Sequence, residues 1–553
     1  MAEQHSRPPP SFSGPNKVID TPVDHCPSSI LFKAFVFLAA ASSAFAKCRC
    51  SPSDDCWPSL SSWSSLNTTV GGKLIAKQPL AKSCYQGGSY DAQRCEKVTA
   101  SWTNSSFQEA SPIGNSSLNP VCVLGPAPDH NVRLVIKNTS HDIVGRSQGY
   151  GSLSIWIKNI TNGIQFQDHC ASSTQCRSNW TGGAFTVRGG YVWGEVYAEA
   201  ARHGVIAVGG SDRTIGVIGG YLQGGGHGVV THDFGLATDQ VLEYKVILAS
   251  GEPVTANECQ YSELFMALRG GGGGTYGVVV SATIKAHPTR PVLLHSLAII
   301  PAGNNISDFH SAIAYMLSRF PHFSDGGFSG NGLLVEDWYT HAFTKLLGSN
   351  TTQYDIQSGK NTIQRQIIDH LAPLNGTKFN GFFENSREHQ SGVGTSAVLP
   401  SRFFDKKSLI SQQENLQKVI NTMFTGPEPE ITTTSYLELC LIGGGKVLES
   451  APLMSVNPAW RRTYLLMELA ETWSENDGLQ GSDLILDDVT NRKLKAMKDA
   501  APGMGTYVNE ADQNELDYKR NWYRDMYDWL EFVKDKYDPD RVFWCYRCVA
   551  SKS

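Results

Sequence analysis

Charged side chains make up only 18% of this 553-residue chain, and their signs nearly cancel, leaving a formal net charge of −5. No basic block longer than a few residues occurs, so the footprint of a nucleic-acid-binding protein is missing. Neither G-x-x-x-x-G-K-[ST] nor H-E-x-x-H is present, which removes the phosphate loop of nucleotide hydrolases and the zinc helix of metalloproteases. H-R-D is absent as well, although two stretches imitate a kinase: Gly272-x-Gly274-x-x-Gly277-x-Val279 with Lys285 behind it, and D-F-G-L-A at Asp233–Ala237. Kinase chemistry needs its metal-binding aspartate downstream of the glycine loop, and here the order is reversed, so the match is coincidental. No internal repeat or long low-complexity linker follows the leader, and this length suffices for two or three domains with full cores.

What is present points out of the cell. After a polar, proline-rich start, Ile30–Ala46 (ILFKAFVFLAAASSAFA) is mostly apolar and ends in an A-x-A pattern, which predicts a secretory signal cleaved before Lys47. The alternative is a signal anchor, disfavoured by Lys33 and the run of Ala and Ser, so no stable membrane span is expected after cleavage. Nine N-x-[ST] sequons, at Asn67, Asn104, Asn115, Asn138, Asn159, Asn179, Asn305, Asn350 and Asn375, agree with export. Of thirteen cysteines, loss of Cys26 with the leader leaves twelve, an even number that suggests disulfides. Cys545-x-x-Cys548 could start a zinc site, but no second ligand pair stands at a metal spacing, so a disulfide is favoured and no metal is expected.

The local patterns alternate between strand and helix. NVRLVIKN (131–138) reads as a strand, and VWGEVYAEAARHG as a helix with Val192, Val196 and Ala200 on one face and a stop at Gly204. VIAVGG reads as a buried strand, and DQVLEYKVILASGEPV as a hairpin turning at Ser250-Gly251. SELFMALRGG predicts a short helix with Ser262 as N-cap, and TYGVVVSATIKAHP another strand. Beyond about 290 the motifs thin into longer loops and helix-like pieces such as KSLISQQENLQKVINTMF, which suggests a second domain. Near the end, Trp522, Met526, Trp529, Leu530, Val533 and Tyr537 form a helical stripe closed by Pro539.

Three glycine-rich clusters stand out: NTSHDIVGRSQGYGSLSIW (138–156), GGYLQGGGHG (219–228) and RGGGGGTYG (269–277). Glycines let a phosphate or a ring system approach bare backbone, although tight turns are their commoner use. With VRLVIKN, GLATDQVLEYKVILASGE and YDPDRVFW, and in this order, these clusters make the chain resemble fungal FAD-linked oxidoreductases of the berberine-bridge-enzyme-like group. The resemblance covers nearly all of the mature chain.

It implies an α+β fold of the vanillyl-alcohol-oxidase type: a two-part PCMH-type FAD-binding domain over 47–290, a substrate domain with an antiparallel sheet over 291–499, and a segment over 500–553 that returns to the FAD domain, with the leader at 1–46. It implies that His141 bonds covalently to the flavin, and that Arg146, Ser147, Gly149, Gly151 and Ser152 line it. Gly219, Gly220, Gly224, Gly225, Gly226 and His227 would form a second wall, with Asn509 as a further flavin contact. Tyr507 is the candidate base or substrate contact, some plant relatives having tyrosine where Glu510 stands, and Thr434 and Tyr436 could face the cavity. Many relatives attach the flavin a second time through a cysteine, but none lies between Gly209 and Gly220, so a single histidyl bond is expected. A strand–helix segment usual before the histidine strand looks to be missing ahead of Asn131. The implied activity is a secreted oxidase passing hydride from a small molecule to FAD and on to dioxygen, in fungal secondary metabolism. An oligosaccharide oxidase and a non-catalytic relic are the alternatives.

Overall fold

The computed structural model describes residues 50, 52, 54–85, 88–112, 132–149, 151–170, 179–301, 305–348, 378–381, 396–426, 433–449, 453–473 and 478–551. The leader, residues 113–131 and the sequons at Asn115, Asn350 and Asn375 lie outside them. Among the described residues no helix is long and apolar enough to cross a membrane.

Strands β1 (Arg133–Lys137) and β2 (Ser152–Trp156) form a separate two-stranded parallel sheet. Among the described residues no further strand pairs with either of its edges. A six-stranded antiparallel sheet follows, in the order β3 (Gln165–Gln167), β4 (Gly183–Arg188), β8 (Val278–Pro288), β6 (Val241–Ile247) and β7 (Pro253–Asn257), with the short β5 (Val205–Ile206) also on β8. The chain changes sheet between Pro288 and Val292. Strands β9 (Val292–Ile300), β10 (Ser329–Val335), β11 (Trp338–Leu346), β12 (Lys378–Gly381), β13 (Ser396–Val398), β14 (Ser401–Asp405), β15 (Thr433–Leu441) and β16 (Thr463–Trp473) build an eight-stranded antiparallel sheet.

Strand β16, between β15 on one side and β13 and β14 on the other, is buried along almost its whole length, and its register with β15 sorts its neighbours by face. Leu437 faces Leu469 and Leu439 faces Met467, an apolar side. The alternate residues Tyr436, Glu438 and Cys440 stand with Glu468 on the other side, and Glu510 of the returning C-terminal segment acts electrostatically on that face. On the apolar side Glu471 is buried with Lys493, Nζ to Oε2 2.7 Å, with the Ser435 hydroxyl donating to the same oxygen. Removing one member leaves an uncompensated buried charge, so Lys493→Met is expected to cost about 3–5 kcal/mol, read as a lower denaturation midpoint.

Several local expectations need correction. Tyr261, in a left-handed conformation, precedes the Ser262–Ala267 helix, so Ser262 is its first residue and not its cap. VIAVGG forms only the two-residue β5, because the chain then bends under the aromatic rings of Trp193 and Tyr197, which approach Gly209. The terminal stripe is not one helix: Arg524, at φ 51°, breaks it, and the regular helix runs from Tyr527 to Tyr537. That helix is clamped to the third glycine cluster by the buried Lys534, whose ammonium donates to the Thr275 and Phe543 carbonyls and to Asp538. KSLISQQENLQKVINTMF divides into two helices, Lys406–Ile410 and Gln413–Met423. Disulfides join Cys50 to Cys56, Cys84 to Cys95 and Cys545 to Cys548; Cys259 is also bonded, whereas Cys170 and Cys440 are free. Asn138 is 7% exposed and faces Gly216 and Gly219, so its sequon is closed to a glycan in the folded chain.

Candidate active site

Parallel neighbours need a crossover of a dozen or more residues, ordinarily a helix. Between β1 and β2 the described residues of the crossover, 138–149 and 151, form a loop that carries His141. Asp142 organises it by accepting from the Arg146 main-chain and side-chain nitrogens, with Arg146 Nε 3.0 Å from its Oδ1. Trp156 Nε1 donates to the Asn138 carbonyl at 3.1 Å, and the Ser152 hydroxyl to the Gly149 carbonyl at 2.6 Å. Ser140, immediately before the histidine, takes φ 66°, a sparsely populated conformation for a side chain with a Cβ.

The other two glycine clusters close on this loop. A Cβ at Gly216 would lie 2.4 Å from Asn138 Nδ2, and one at Gly219 3.3 Å from Asn138 Cβ. Gly273 presses on the backbone of Gly219 and Gly220, and a Cβ at Gly272 would lie 3.1 Å from Arg146 Nη1. At Gly224 a Cβ would fall 2.5 Å from both amide atoms of Asn509, a spacing no side chain tolerates. Gly225, at φ 137°, lies against Tyr507 and Trp460.

Asn509 ties the returning segment to both walls. Its Oδ1 accepts from Arg146 Nη2 at 2.9 Å, and its Nδ2 donates to the Gly220 carbonyl at 3.0 Å and to Tyr507 Oη at 2.6 Å. Tyr507 Oη also accepts from the Gly226 N–H at 3.0 Å. Burial, reinforced by Glu510, pushes this phenol far above its usual pKa despite those two donors.

His227 pairs through its ring with Glu510. Its Nε2 lies 3.0 and 3.2 Å from the two oxygens of Glu510, and its carbonyl accepts from Tyr221 Oη. Burial pulls the imidazole down, but the neighbouring carboxylates Glu510 and Glu438 outweigh it and its pKa rises above 6.5. Glu468 faces Glu438 across the sheet, and burial with both carboxylates nearby raises its pKa well above the usual range. The same wall carries Tyr436, pushed up to about 12 by burial and these glutamates, while Thr434 is solvent-exposed.

Around His141, many buried polar atoms have no hydrogen-bond partner: both amide atoms of Asn138, the hydroxyls of Ser140, Ser147 and Ser154, Arg146 Nη1, Gln148 Nε2, Gln223 Oε1 and Tyr523 Oη. Buried polar groups are ordinarily satisfied, and this cluster of donors and acceptors beside bare glycine backbone fits a flat polar ring with an anionic tail. Gly145-Arg146-Ser147-Gln148-Gly149 also spells G-x-S-x-G, but it lies in a loop between strands and Ser147 has no histidine partner, so no nucleophile elbow exists. Sequence reasoning missed Asn138, Asp142, Asp212, Thr214, Glu438, Glu468 and Tyr523. Asp212 and Thr214 had a signal, lying in the stretch where relatives carry a second attachment residue; the glutamates had none, because only strand register brings them to the site.

The FAD binding domain model matches residues 122–257, and the berberine and berberine-like model residues 506–547. The FAD-linked oxidoreductase apf9 of Gibberella fujikuroi is 33% identical over 92% of this chain and 95% of its own. The VAO-type flavoprotein MtVAO713 from Myceliophthora thermophila C1 superposes with a TM-score of 0.82 at 32% identity, over 91% of this chain and 97% of that one. A glucooligosaccharide oxidase from Acremonium strictum, which has a 6-S-cysteinyl, 8α-N1-histidyl FAD, shares the fold at a TM-score of 0.58 and 17% identity, over 76% and 87% of the two chains. With a cradle that fits a flavin and relatives aligned along nearly its whole length, the chain belongs to the FAD-linked oxidoreductases of the vanillyl-alcohol-oxidase and berberine-bridge family, and is a flavin-dependent oxidoreductase.

Proposed function

We propose that this chain is a secreted oxidase that oxidises a small molecule bearing a hydroxyl or amine, with FAD attached through His141 alone and dioxygen as the final acceptor. The observation that carries the reading is the set of unsatisfied polar atoms and bare glycines gathered about His141, with a histidine–carboxylate pair at the far wall. Bound FAD supplies the hydride acceptor and the route of electrons to dioxygen. Arg146, Ser147 and the backbone of Gly149, Gly151 and Ser152 would hold one side of it, the Gly219–Gly226 cluster and Asn509 the other.

The residues divide the remaining work. Tyr507 keeps its proton and positions, since burial opposes its ionisation. The His227–Glu510 pair takes the proton from the substrate O–H or N–H, a role that needs an acceptor of pKa near the working pH. Glu438 and Glu468 give the substrate wall an acidic character suited to an amine or to hydroxyl donors. The leader and the disulfides support export. Secondary metabolism is the setting favoured for the substrate; an oligosaccharide is the second reading, weakened because no cysteine occupies the second attachment stretch.

Expression of the full chain in a secreting fungal host tests this. Yellow protein should appear in the medium, its colour should survive acid precipitation, and peroxide should form with some member of a panel of amines, alcohols and oligosaccharides. A folded, colourless product would favour the non-catalytic relic.

A further inference from the structure

His141 Nε2 lies 2.7 Å from Thr214 Oγ1. The Thr214 hydroxyl donates its only hydrogen to Asp212 Oδ1 at 2.8 Å, and the same oxygen accepts the Thr214 N–H at 2.8 Å. A hydroxyl whose hydrogen is committed can only accept from a third group. Nε2 therefore carries a proton, and the lone pair of the neutral ring sits on Nδ1. Burial, which lowers the His141 pKa, works in the same direction by disfavouring the doubly protonated ring.

We propose that Asp212 and Thr214 are positioning residues for flavin attachment: they fix the tautomer of His141 that presents Nδ1 as the nucleophile, and they take up the charge that bond formation creates. The proposal rests on the reading that His141 carries the flavin. Attachment forms a bond from Nδ1 to the 8α carbon, which loses a proton. The electron pair of that C–H bond passes into the ring system and is removed by dioxygen, which leaves as hydrogen peroxide. The imidazole becomes cationic as the bond forms, and its Nε2 proton is the second to leave, along Thr214 towards Asp212. Two protons and two electrons are thus accounted for. In relatives with two attachments a cysteine serves this stretch; here a carboxylate and a hydroxyl serve the one histidine.

The test follows attachment, not turnover. Flavin-depleted full-length protein is mixed with FAD, and acid-stable flavin is followed by fluorescence and intact mass, with reversible FAD binding measured by dialysis. Thr214→Val should attach at least tenfold more slowly while still binding FAD, Asp212→Asn should be slowed similarly, and Thr214→Ser should restore the wild-type rate. Wild-type attachment rates in both Thr214→Val and Asp212→Asn would overturn the relay and leave the proposed function intact. A wild-type protein that never retains flavin would remove both. Should Thr214→Val fail to fold by circular dichroism, Asp212→Asn and the rescue by serine decide between the relay and its absence.

Discussion

His141→Ala protein is expected to lose all of its flavin on acid precipitation, where the native chain should retain nearly all. The effect is all-or-none because Ala has no nucleophile, while the walls that recognise the cofactor stay in place: Arg146 remains paired to Asp142, and Asn509 still bridges Arg146, Gly220 and Tyr507. The variant should bind FAD reversibly, and its melting temperature should depend on added cofactor. At one hundred times the dissociation constant, free FAD would stabilise it by about 2.7 kcal/mol. The native protein, loaded covalently, should show no such dependence. Acid-stable flavin in the alanine variant would mean that another residue forms the bond.

The second large effect concerns the proton. Replacing His227 by Gln is expected to lower kcat by about 10²–10⁴-fold, the usual contribution of a positioned proton acceptor, with little change in the amount of flavin bound. The pH profile supplies the sharper test. An acceptor must be neutral, and the pKa of His227 is raised above 6.5 by Glu510 and Glu438 against the pull of burial. Activity should therefore be low in acid and rise as pH increases through a value above 6.5. In Glu510→Gln the burial effect is no longer outweighed by the nearest carboxylate, so the acid limb should move to lower pH. The groups facing His227 are Glu510 from the returning segment, Glu438 on β15, Tyr507 and Trp460, and through Glu510 and Glu438 the neighbouring Glu468 on β16. An acid limb that stays put in Glu510→Gln would remove the pair from the mechanism and return Tyr507 to consideration as base.

How much of the fold is legible in the sequence differs between elements. Strands β1, β6 and β8 and the Trp193–Arg202 helix are readable because each sequence repeats with its own structural period, two or about four residues, whatever it packs on. VIAVGG misleads because a short apolar run carries no period of its own, and Trp193 decides where the chain turns. Ser262 has the look of a cap, but Tyr261 precedes the first turn in a left-handed conformation that no residue type announces.

The candidate site shows the same division. The glycine clusters and the histidine loop are contiguous in sequence, so their residues can be named from motif alone, and Asn509 and Tyr507 with them. What the linear order determined about this protein is its family, its cofactor and the loop that holds His141. Tertiary structure alone decided that His227 turns to Glu510, that Glu438 meets Glu468, and that Thr214 stands between Asp212 and His141. The reason is physical: a hydrogen bond and a pKa depend on distances of a few ångströms between groups up to 363 residues apart, and such distances are set by strand register and chain return, which no local pattern encodes.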